Sequence, residues 1–297
     1  MNAAQTPEGR ERFASSAVKL MADWGFDGLD VDWEYPEDKH EGELLTLLLQ
    51  ACRKAMDDYA AAQGQEYHYL LTIAVSASPS RYNFLNMPAL EEVVDTWHLM
   101  AYDYSGTWDH TTGHAANLYA SPGNPEITKA NTHQAVQDYI SGGVPSDKII
   151  LGLPLYGRSF MSTESRLGLP FKGYATNTST DDGVWLYRDL PRVGASTSVH
   201  VDRDSVGAWS YDPSTKELVA FDNVETTRIK ADYILDHRLG GAMFWEAAGD
   251  KTGEQSLVAA MDTKLGQVGT DETVSNNMLD YPASRFMNIR NKMSGQQ

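Results

Sequence analysis

The sequence contains a single cysteine, Cys52, among 297 residues, so no disulfide can form within the chain. Cys52 lies in an apolar helical segment and is interpreted as a buried, inert thiol. No apolar run approaches the length that a membrane-spanning helix requires. Basic residues are also scarce, because 24 Lys and Arg stand against 41 Asp and Glu, giving a net charge of -17. Without a basic surface, neither nucleic acid nor an anionic membrane is an expected partner.

Several chemical signatures are missing as well. The sequence shows no phosphate-binding glycine loop, no Ser-His-Asp arrangement and no cluster with metal-ligand spacing, so neither a cofactor nor a metal is predicted. His98 and His110 have no such spacing with acids or cysteines and are interpreted as core or loop histidines. The N-terminal residues lack the charged and apolar regions of a signal peptide, so the chain as it stands carries no export signal.

The stretch 25–36 is acidic and is the central feature of the sequence. Its side chains alternate with period two, as in a β-strand. One face carries Asp30, Asp32 and Glu34. Neighbours on that face would lie ~6–7 Å apart, and like charges that close disfavour joint ionisation. We therefore expect one retained proton near neutral pH, as general acid catalysis requires. The alternative is a solvated edge strand whose acids prevent aggregation.

Strand and helix patterns alternate five times with short links, which indicates βαβ units around a parallel sheet. The predicted strands are 25–36, 70–75, 97–103, 149–154 and 242–246. The predicted helices are 7–24, 41–63, 88–94, 131–142, 224–239 and 254–265. The first helix is predicted to bury the face formed by Phe13, Ala17, Leu20 and Met21.

Residues 157–223 interrupt this alternation. They are rich in aromatics and glycine, and two strand-like runs around Asp212-Pro213 predict a hairpin. The segment also holds the glycosylation sequon Asn177-Thr-Ser179. We interpret it as a small α+β insertion, which predicts a main domain of residues 1–156 and 224–297 around an insertion of residues 157–223.

The residues resemble a known family. Asp27-Gly-Leu-Asp-Val-Asp-Trp-Glu-Tyr-Pro36 resembles the DGxDxDWEYP signature of family 18 glycoside hydrolases, the chitinases. Met100-Ala-Tyr-Asp103 resembles the MxYD strand of that family. Gly152-Leu-Pro-Leu-Tyr-Gly-Arg158 resembles the strand that leads into the family's insertion, and Met243-Phe-Trp-Glu246 resembles its last barrel strand. The similarity covers essentially the whole chain and is closest to secreted fungal chitinases with an α+β insertion domain.

The resemblance implies an α/β fold of the (β/α)8 TIM-barrel type. The signature normally lies on the fourth barrel strand, but only one helix precedes it here, and the SxGG motif of the third strand is absent before Phe26. The expected fold is an incomplete barrel equivalent to strands four to eight, with the α+β insertion domain and without the first three βα units. Since a barrel closes its edges, exposed edges predict an open or self-associating molecule.

The resemblance also implies an activity, the hydrolysis of β-1,4-linked N-acetylglucosamine polymers with retention. In that mechanism the substrate's N-acetyl oxygen attacks the anomeric carbon. Glu34 would be the general acid and base, Asp32 would hold the acetamide N–H, and Asp30 would share a proton with Asp32. The implied partner is chitin or chitooligosaccharide, and the implied location is extracellular. The alternative is a catalytically impaired or inactive chitin-binding fragment, because the SxGG region is missing.

The resemblance implies seven substrate-binding residues: Tyr35, Met100, Tyr102, Asp103, Trp108, Arg158 and Trp245. Tyr102 would contact the acetamido group, Trp245 would form the floor under the reacting sugar, and Trp108 would be a stacking platform. Arg158 is either a sugar contact or the structural partner of an acid. On sequence alone, core packing is the first interpretation of Met100 and Tyr102, and a buried barrel tryptophan fits Trp245 equally well.

Overall fold

The computed structural model describes residues 2–176, 178, 181–195, 199–266 and 277–292, so most of the predicted sequon, Asn177-Thr-Ser179, lies outside the described residues. The chain divides into two compact units. The first combines Met1–His98, Gly142–Val144 and Glu272–Gln297, and the second combines Leu99–Ser141 and Pro145–Asp271. None of the helices in the described ranges is long and apolar enough to cross a membrane.

The regular elements follow in chain order. The α-helices of the described residues are α1 (Asn2–Gln5), α2 (Pro7–Trp24), α3 (Lys39–Ala62), α4 (Pro79–Tyr82), α5 (Met87–Glu91), α6 (Thr132–Ser141), α7 (Val224–Asp236), α8 (Leu257–Gly266) and α9 (Met287–Arg290). The strands are β1 (Gly28–Val31), β2 (Leu70–Ser76), β3 (Thr96–Met100), β4 (Ile149–Pro154), β5 (Tyr156–Phe160), β6 (Val184–Leu186), β7 (Val199–Asp202), β8 (Gly207–Asp212), β9 (Glu217–Phe221) and β10 (Gly241–Trp245).

Helix α2 has the predicted bounds, but its buried face differs from the prediction at Leu20. The Thr6 hydroxyl accepts a hydrogen bond from the Gly9 N–H at 3.0 Å and caps the N-terminus. Gly25, with φ of 74°, ends the helix in the left-handed conformation that glycine tolerates. The prediction is wrong at Leu20, which is 52% exposed. Met21 is buried as predicted, whereas Val18 is buried in place of Leu20, because a one-residue step turns a side chain about 100° around the axis.

The acidic strand is shorter than predicted. Strand β1 ends at Val31, where its parallel pairing with β2 stops at Ile73. The alternation of exposure nevertheless continues, since Asp32 and Glu34 are exposed and Trp33 is half-buried. Trp33 packs beside the core of Ala4, Leu44 and Leu48. Strand β2 lies between β1 and β3.

The C-terminal segment stabilises the start of β1. The Tyr281 hydroxyl donates to the Phe26 carbonyl at 2.7 Å. Asp27 accepts from the Met278 N–H at 2.7 Å and from the Tyr67 hydroxyl at 3.1 Å. Cys52 is buried in α3, and burial raises the pKa of its thiol to about 11. The predicted burial of the thiol is therefore confirmed.

The second unit contains parallel and antiparallel pairing. Strands β4 and β10 pair in parallel, with Gly152 opposite Met243. Strands β5 to β9 form an antiparallel sheet in the order β6-β5-β9-β8-β7. The predicted hairpin is confirmed by the pairing of β8 with β9. The predicted start of α6 is also confirmed, because the Asn131 side chain accepts from the Gln134 N–H at 2.8 Å.

The predicted α/β class is confirmed by these helices and strands. Some of the described strands pair in parallel and others pair antiparallel. Within the described residues they form no closed barrel. The division into residues 1–156, 157–223 and 224–297 stays a prediction.

Candidate active site

The first group of candidate residues lies at the end of β1. Asp30 pairs in register with Thr72 on β2. The Thr72 hydroxyl donates to Asp30 Oδ1 at 2.5 Å, and His98 Nδ1 lies 3.3 Å from the same oxygen. Asp30 therefore receives two polar contacts on one carboxylate oxygen while its side chain is 47% exposed.

The pKa values of the two aspartates move in opposite directions. Partial burial raises the pKa of Asp30, but hydrogen bonds from His98 and Thr72 outweigh it and the net pKa is lowered. Burial raises the pKa of Asp32, and the negative charges of Glu34 and Asp30 and a hydrogen bond with Glu34 raise it further. Asp30 therefore favours the ionised form, and Asp32 retains a proton more readily.

Glu34 and Tyr35 complete this first group. Glu34 is exposed, and the peptide bond between Glu34 and Tyr35 is cis. The Arg81 guanidinium, on α4 after strand β2, lies 5.6 Å from the centre of the Tyr35 ring. This geometry brings a cation over the ring of Tyr35, an arrangement that is attractive for an aromatic side chain.

The sequence pattern did not predict two contacts of Asp30. His98 was interpreted as a core or loop histidine, but it lies against the Asp30 carboxylate. The signal is its parity on β3, since His98 shares a face with Met100 in an alternating strand. Thr72 was missed in the same way, although it is a polar side chain inside an otherwise apolar strand.

The second group is centred on Asp103. The predicted strand to Asp103 is wrong in its last residues, because β3 ends at Met100 and Asp103, in the segment that follows, has φ of 60°. Arg158 Nε and Nη2 donate to the two Asp103 carboxylate oxygens at 2.8 and 2.7 Å. This bidentate pair fixes both the position and the plane of the carboxylate. Arg158 thus has an acid as its partner, and its contact with a sugar stays a prediction.

Tyr156 joins this pair from the start of β5. Its hydroxyl donates to Asp103 Oδ1 at 2.8 Å. Burial raises the pKa of Tyr156 well above its ordinary value, and the Asp103 charge raises it further, so the phenol stays a donor. The Tyr102 ring lies edge-on to the Tyr156 ring, with centroids 6.1 Å apart.

The remaining predicted residues differ in exposure. Trp108 is 56% exposed, and the Arg158 guanidinium lies 5.0 Å from its ring centre. Trp245 is 57% exposed at the end of β10, so the alternative of a buried barrel tryptophan is wrong. Met100 is buried, in line with the core-packing alternative.

The contacts therefore gather the predicted residues into two groups. Asp30, Asp32, Glu34 and Tyr35 form the group of the first unit, and Tyr102, Asp103, Trp108 and Arg158 form that of the second. In the part of the chain that the structure describes, no group of three or more His, Cys, Asp or Glu side chains is placed to hold a metal ion.

Comparison with known proteins identifies the family. Residues 1–250 match the family described as Glycosyl hydrolases family 18. The chain belongs to this family. It is 47% identical over 292 residues to Chitinase 1 of Aphanocladium album and equally so to Endochitinase 1 of Metarhizium robertsii. Each alignment covers 98% of this chain and 67% of the relative.

Solved structures of the family have a similar fold. A class V chitinase from Nicotiana tobaccum, determined as a mutant in complex with NAG4, aligns with a TM-score of 0.79 at 29% identity. That alignment covers 89% of this chain and 75% of the tobacco chain. The acidic signature, which first indicated family 18, lies inside the matched residues.

Proposed function

We propose that the protein is a chitinase that hydrolyses β-1,4-linked N-acetylglucosamine polymers with retention. Support comes from family membership and from relatives that are themselves named chitinase and endochitinase. The observation that carries the proposal is the acidic row, in which an Asp30 of lowered pKa and an Asp32 of raised pKa precede an exposed Glu34. Titratable neighbours whose pKa values are moved apart are typical of acid–base catalysis.

In the proposed mechanism the substrate provides its own nucleophile. Glu34 donates a proton to the glycosidic oxygen while the acetamide oxygen attacks the anomeric carbon. The leaving sugar departs with that proton, and an oxazolinium ion remains. Asp32 accepts a hydrogen bond from the acetamide N–H and stabilises the positive charge. Water then attacks the anomeric carbon, Glu34 takes the water proton, and the acetamide re-forms with retained configuration.

The other predicted residues would position the sugar. Tyr102 would contact the acetamido group, and Trp245 would form the floor below the reacting ring. Asp103 is held by Arg158 and Tyr156, so we propose that it shapes the pocket from a fixed position. Tyr35, Met100, Trp108 and Arg158 stay predicted substrate contacts.

The finer fold is part of the proposal. We assign the strands β1, β2, β3, β4 and β10 to the fourth to eighth strands of the family barrel, and the antiparallel sheet to its α+β insertion domain. The similarity of the sequence to secreted fungal chitinases supports an extracellular location. Among the described strands of the first unit, β1 pairs with β2 alone, so we also propose self-association through this edge.

The experiment that tests the activity is hydrolysis of a fluorogenic chitin oligomer by the purified chain. We expect turnover by the unchanged chain and a decrease of about 10²–10⁴-fold in Glu34→Gln, because the general acid is lost. Glu37→Gln is the matched control, since Glu37 is an exposed acid three residues away that the mechanism does not use. Absence of turnover above Glu34→Gln, with chitooligosaccharide binding retained, would favour the inactive chitin-binding alternative.

A further inference from the structure

Two histidines and two tyrosines pack ring against ring where α6 meets α7 in the second unit. His133 lies on the first turn of α6, Tyr233 on the last turn of α7 with His237 directly after that helix, and Tyr119 in the loop after β3. The Tyr233 and His237 rings are stacked with centroids 3.9 Å apart. The His133 ring lies edge-on to both, at 5.8 and 5.7 Å. We call these four residues the two-histidine cluster.

Hydrogen bonds hold this cluster together. A backbone carbonyl can only accept, so His237 Nδ1 carries a proton and donates it to the Tyr233 carbonyl at 3.1 Å. His133 Nδ1 lies 3.0 Å from the Tyr233 hydroxyl, and the His133 backbone N–H donates to the Leu118 carbonyl at 2.9 Å. The cluster therefore joins α6, α7 and the loop after β3.

The surroundings treat a positive charge on the two histidines differently. A charge on His237 would lie at the C-terminal end of α7 and against the Tyr233 ring, and both stabilise a cation. His133 lies instead near the N-terminus of α6, and burial lowers its pKa, which the neighbouring His237 lowers further. Burial raises the pKa of both Tyr119 and Tyr233, and the charge of Asp236 adds to the effect at Tyr119, so both phenols stay neutral.

We propose that the two-histidine cluster is an acid-sensitive latch, which holds α6, α7 and the loop after β3 together while His133 is neutral and loosens when both histidines are protonated. Two imidazolium rings this close repel each other, so the second proton is accepted as the rings separate. Because the folded-state pKa of His133 is lowered, its contribution to stability is present above the ordinary value of 6.5 and is lost as the pH falls through the lowered value. A purely structural contact would hold equally at every pH.

Hydrogen exchange of the α6 and α7 amides tests the latch. It is measured by mass spectrometry on both sides of pH 6.5 and corrected for the exchange of unstructured peptides at each pH. We expect the protection of these amides to fall about tenfold on the acid side at low salt, as for one like-charge contact, and to fall less at high salt. His133→Phe keeps a ring that takes no proton, so it should abolish the acid response. His110→Phe, at an exposed histidine of the same unit, is the matched control and should leave the response unchanged.

Variants of the second histidine separate repulsion within the pair from other effects of acid. His237→Phe should also abolish the response, and the double variant should behave like either single one, because the repulsion needs both rings. An acid response that persists in both single variants, or that does not depend on salt, would overturn the latch. An equal loss of protection in every helix of the second unit would overturn it too, since acid would then act on the whole unit. The assay uses no substrate, so its result is independent of the proposed hydrolysis.

Discussion

Asp30 and Asp32 are the same residue type, two positions apart, and only their neighbours distinguish them. Asp30 receives the Thr72 hydroxyl and His98, whereas Asp32 faces the negative charges of Glu34 and Asp30. Hydrogen bonds to the charged form lower the pKa of Asp30, while burial and like charge raise the pKa of Asp32. The row is therefore chemically ordered before any substrate binds, with the aspartate of raised pKa closer to Glu34.

The Thr72 contact leads to a prediction about pH. Because the folded-state pKa of Asp30 is lowered, its contribution to stability is present above the ordinary value of 3.8 and is lost as the pH falls through the lowered value. Thr72→Val removes one donor and raises the pKa of Asp30 toward its ordinary value. We expect the free energy of unfolding to decrease by about 1 kcal/mol at neutral pH, typical of one hydrogen bond. The deficit should shrink below pH 3.8.

Urea unfolding at a series of pH values, together with carboxyl titration by NMR, measures both effects. Thr72→Ser keeps the hydroxyl and should behave like the unchanged chain. A deficit of equal size at every pH would show that Thr72 stabilises β2 by packing, without acting on the Asp30 charge.

At the scale of elements, close strand contact positions the second group. Gly152 on β4 leaves no room for a side chain, since a Cβ would lie 2.4 Å from the Leu99 carbonyl oxygen, 2.8 Å from Met243 Cε and 3.0 Å from the Tyr102 ring. The absent side chain allows Tyr102 to lie against β4, beside the residue of β10 that pairs with Gly152. The glycine is thus a packing requirement of the strands and at the same time a determinant of the Tyr102 position.

Gly152→Ala should separate these strands. We expect a decrease of about 1–3 kcal/mol in the free energy of unfolding, as for overpacking of a tight core, and a lower rate of chitin oligomer hydrolysis through displaced Tyr102. Gly123→Ala is the control, because a Cβ there would meet nothing within 4 Å. Urea unfolding and steady-state kinetics measure the two quantities. A Gly152→Ala chain as stable and active as Gly123→Ala would contradict the argument.

At the scale of the whole molecule, the first unit exposes apolar side chains next to a strand edge. Leu20, Trp24 and Phe26 are 52%, 50% and 51% exposed on α2 and just before β1. An unpaired strand edge and exposed apolar side chains favour association, whereas a net charge of -17 opposes it by repulsion.

We therefore expect self-association that strengthens with salt, because salt screens the repulsion between the acidic copies. Sedimentation velocity over a range of protein concentrations, at low and high sodium chloride, measures the mass. Phe26→Lys should shift the equilibrium toward the monomer, whereas Leu279→Lys, at another exposed apolar position of the same unit, should not. A mass that stays monomeric at every concentration and salt level would contradict the proposed edge contact.

Local sequence patterns predicted the bounds of helices and strands more accurately than they predicted the contacts between them. The bounds of α2 and β4 and the start of α6 follow from capping residues, glycines and short apolar runs that lie within the element itself. The buried face of α2 was wrong at Leu20, because which side of a helix is covered depends on where α3 packs. The strands ending at Val31 and Met100 were predicted too long, since pairing to a neighbour decides where a strand stops.

The sequence by itself determined the family and the acidic row. The order of Asp30, Asp32 and Glu34 follows from the period of an extended chain, which is a local property. Only the tertiary structure decided what each carboxylate contacts. Thr72 lies 42 residues from Asp30, and Arg158 lies 55 residues from Asp103. Hydrogen bonds over such separations depend on strand register and packing, and the local sequence around either residue does not determine these.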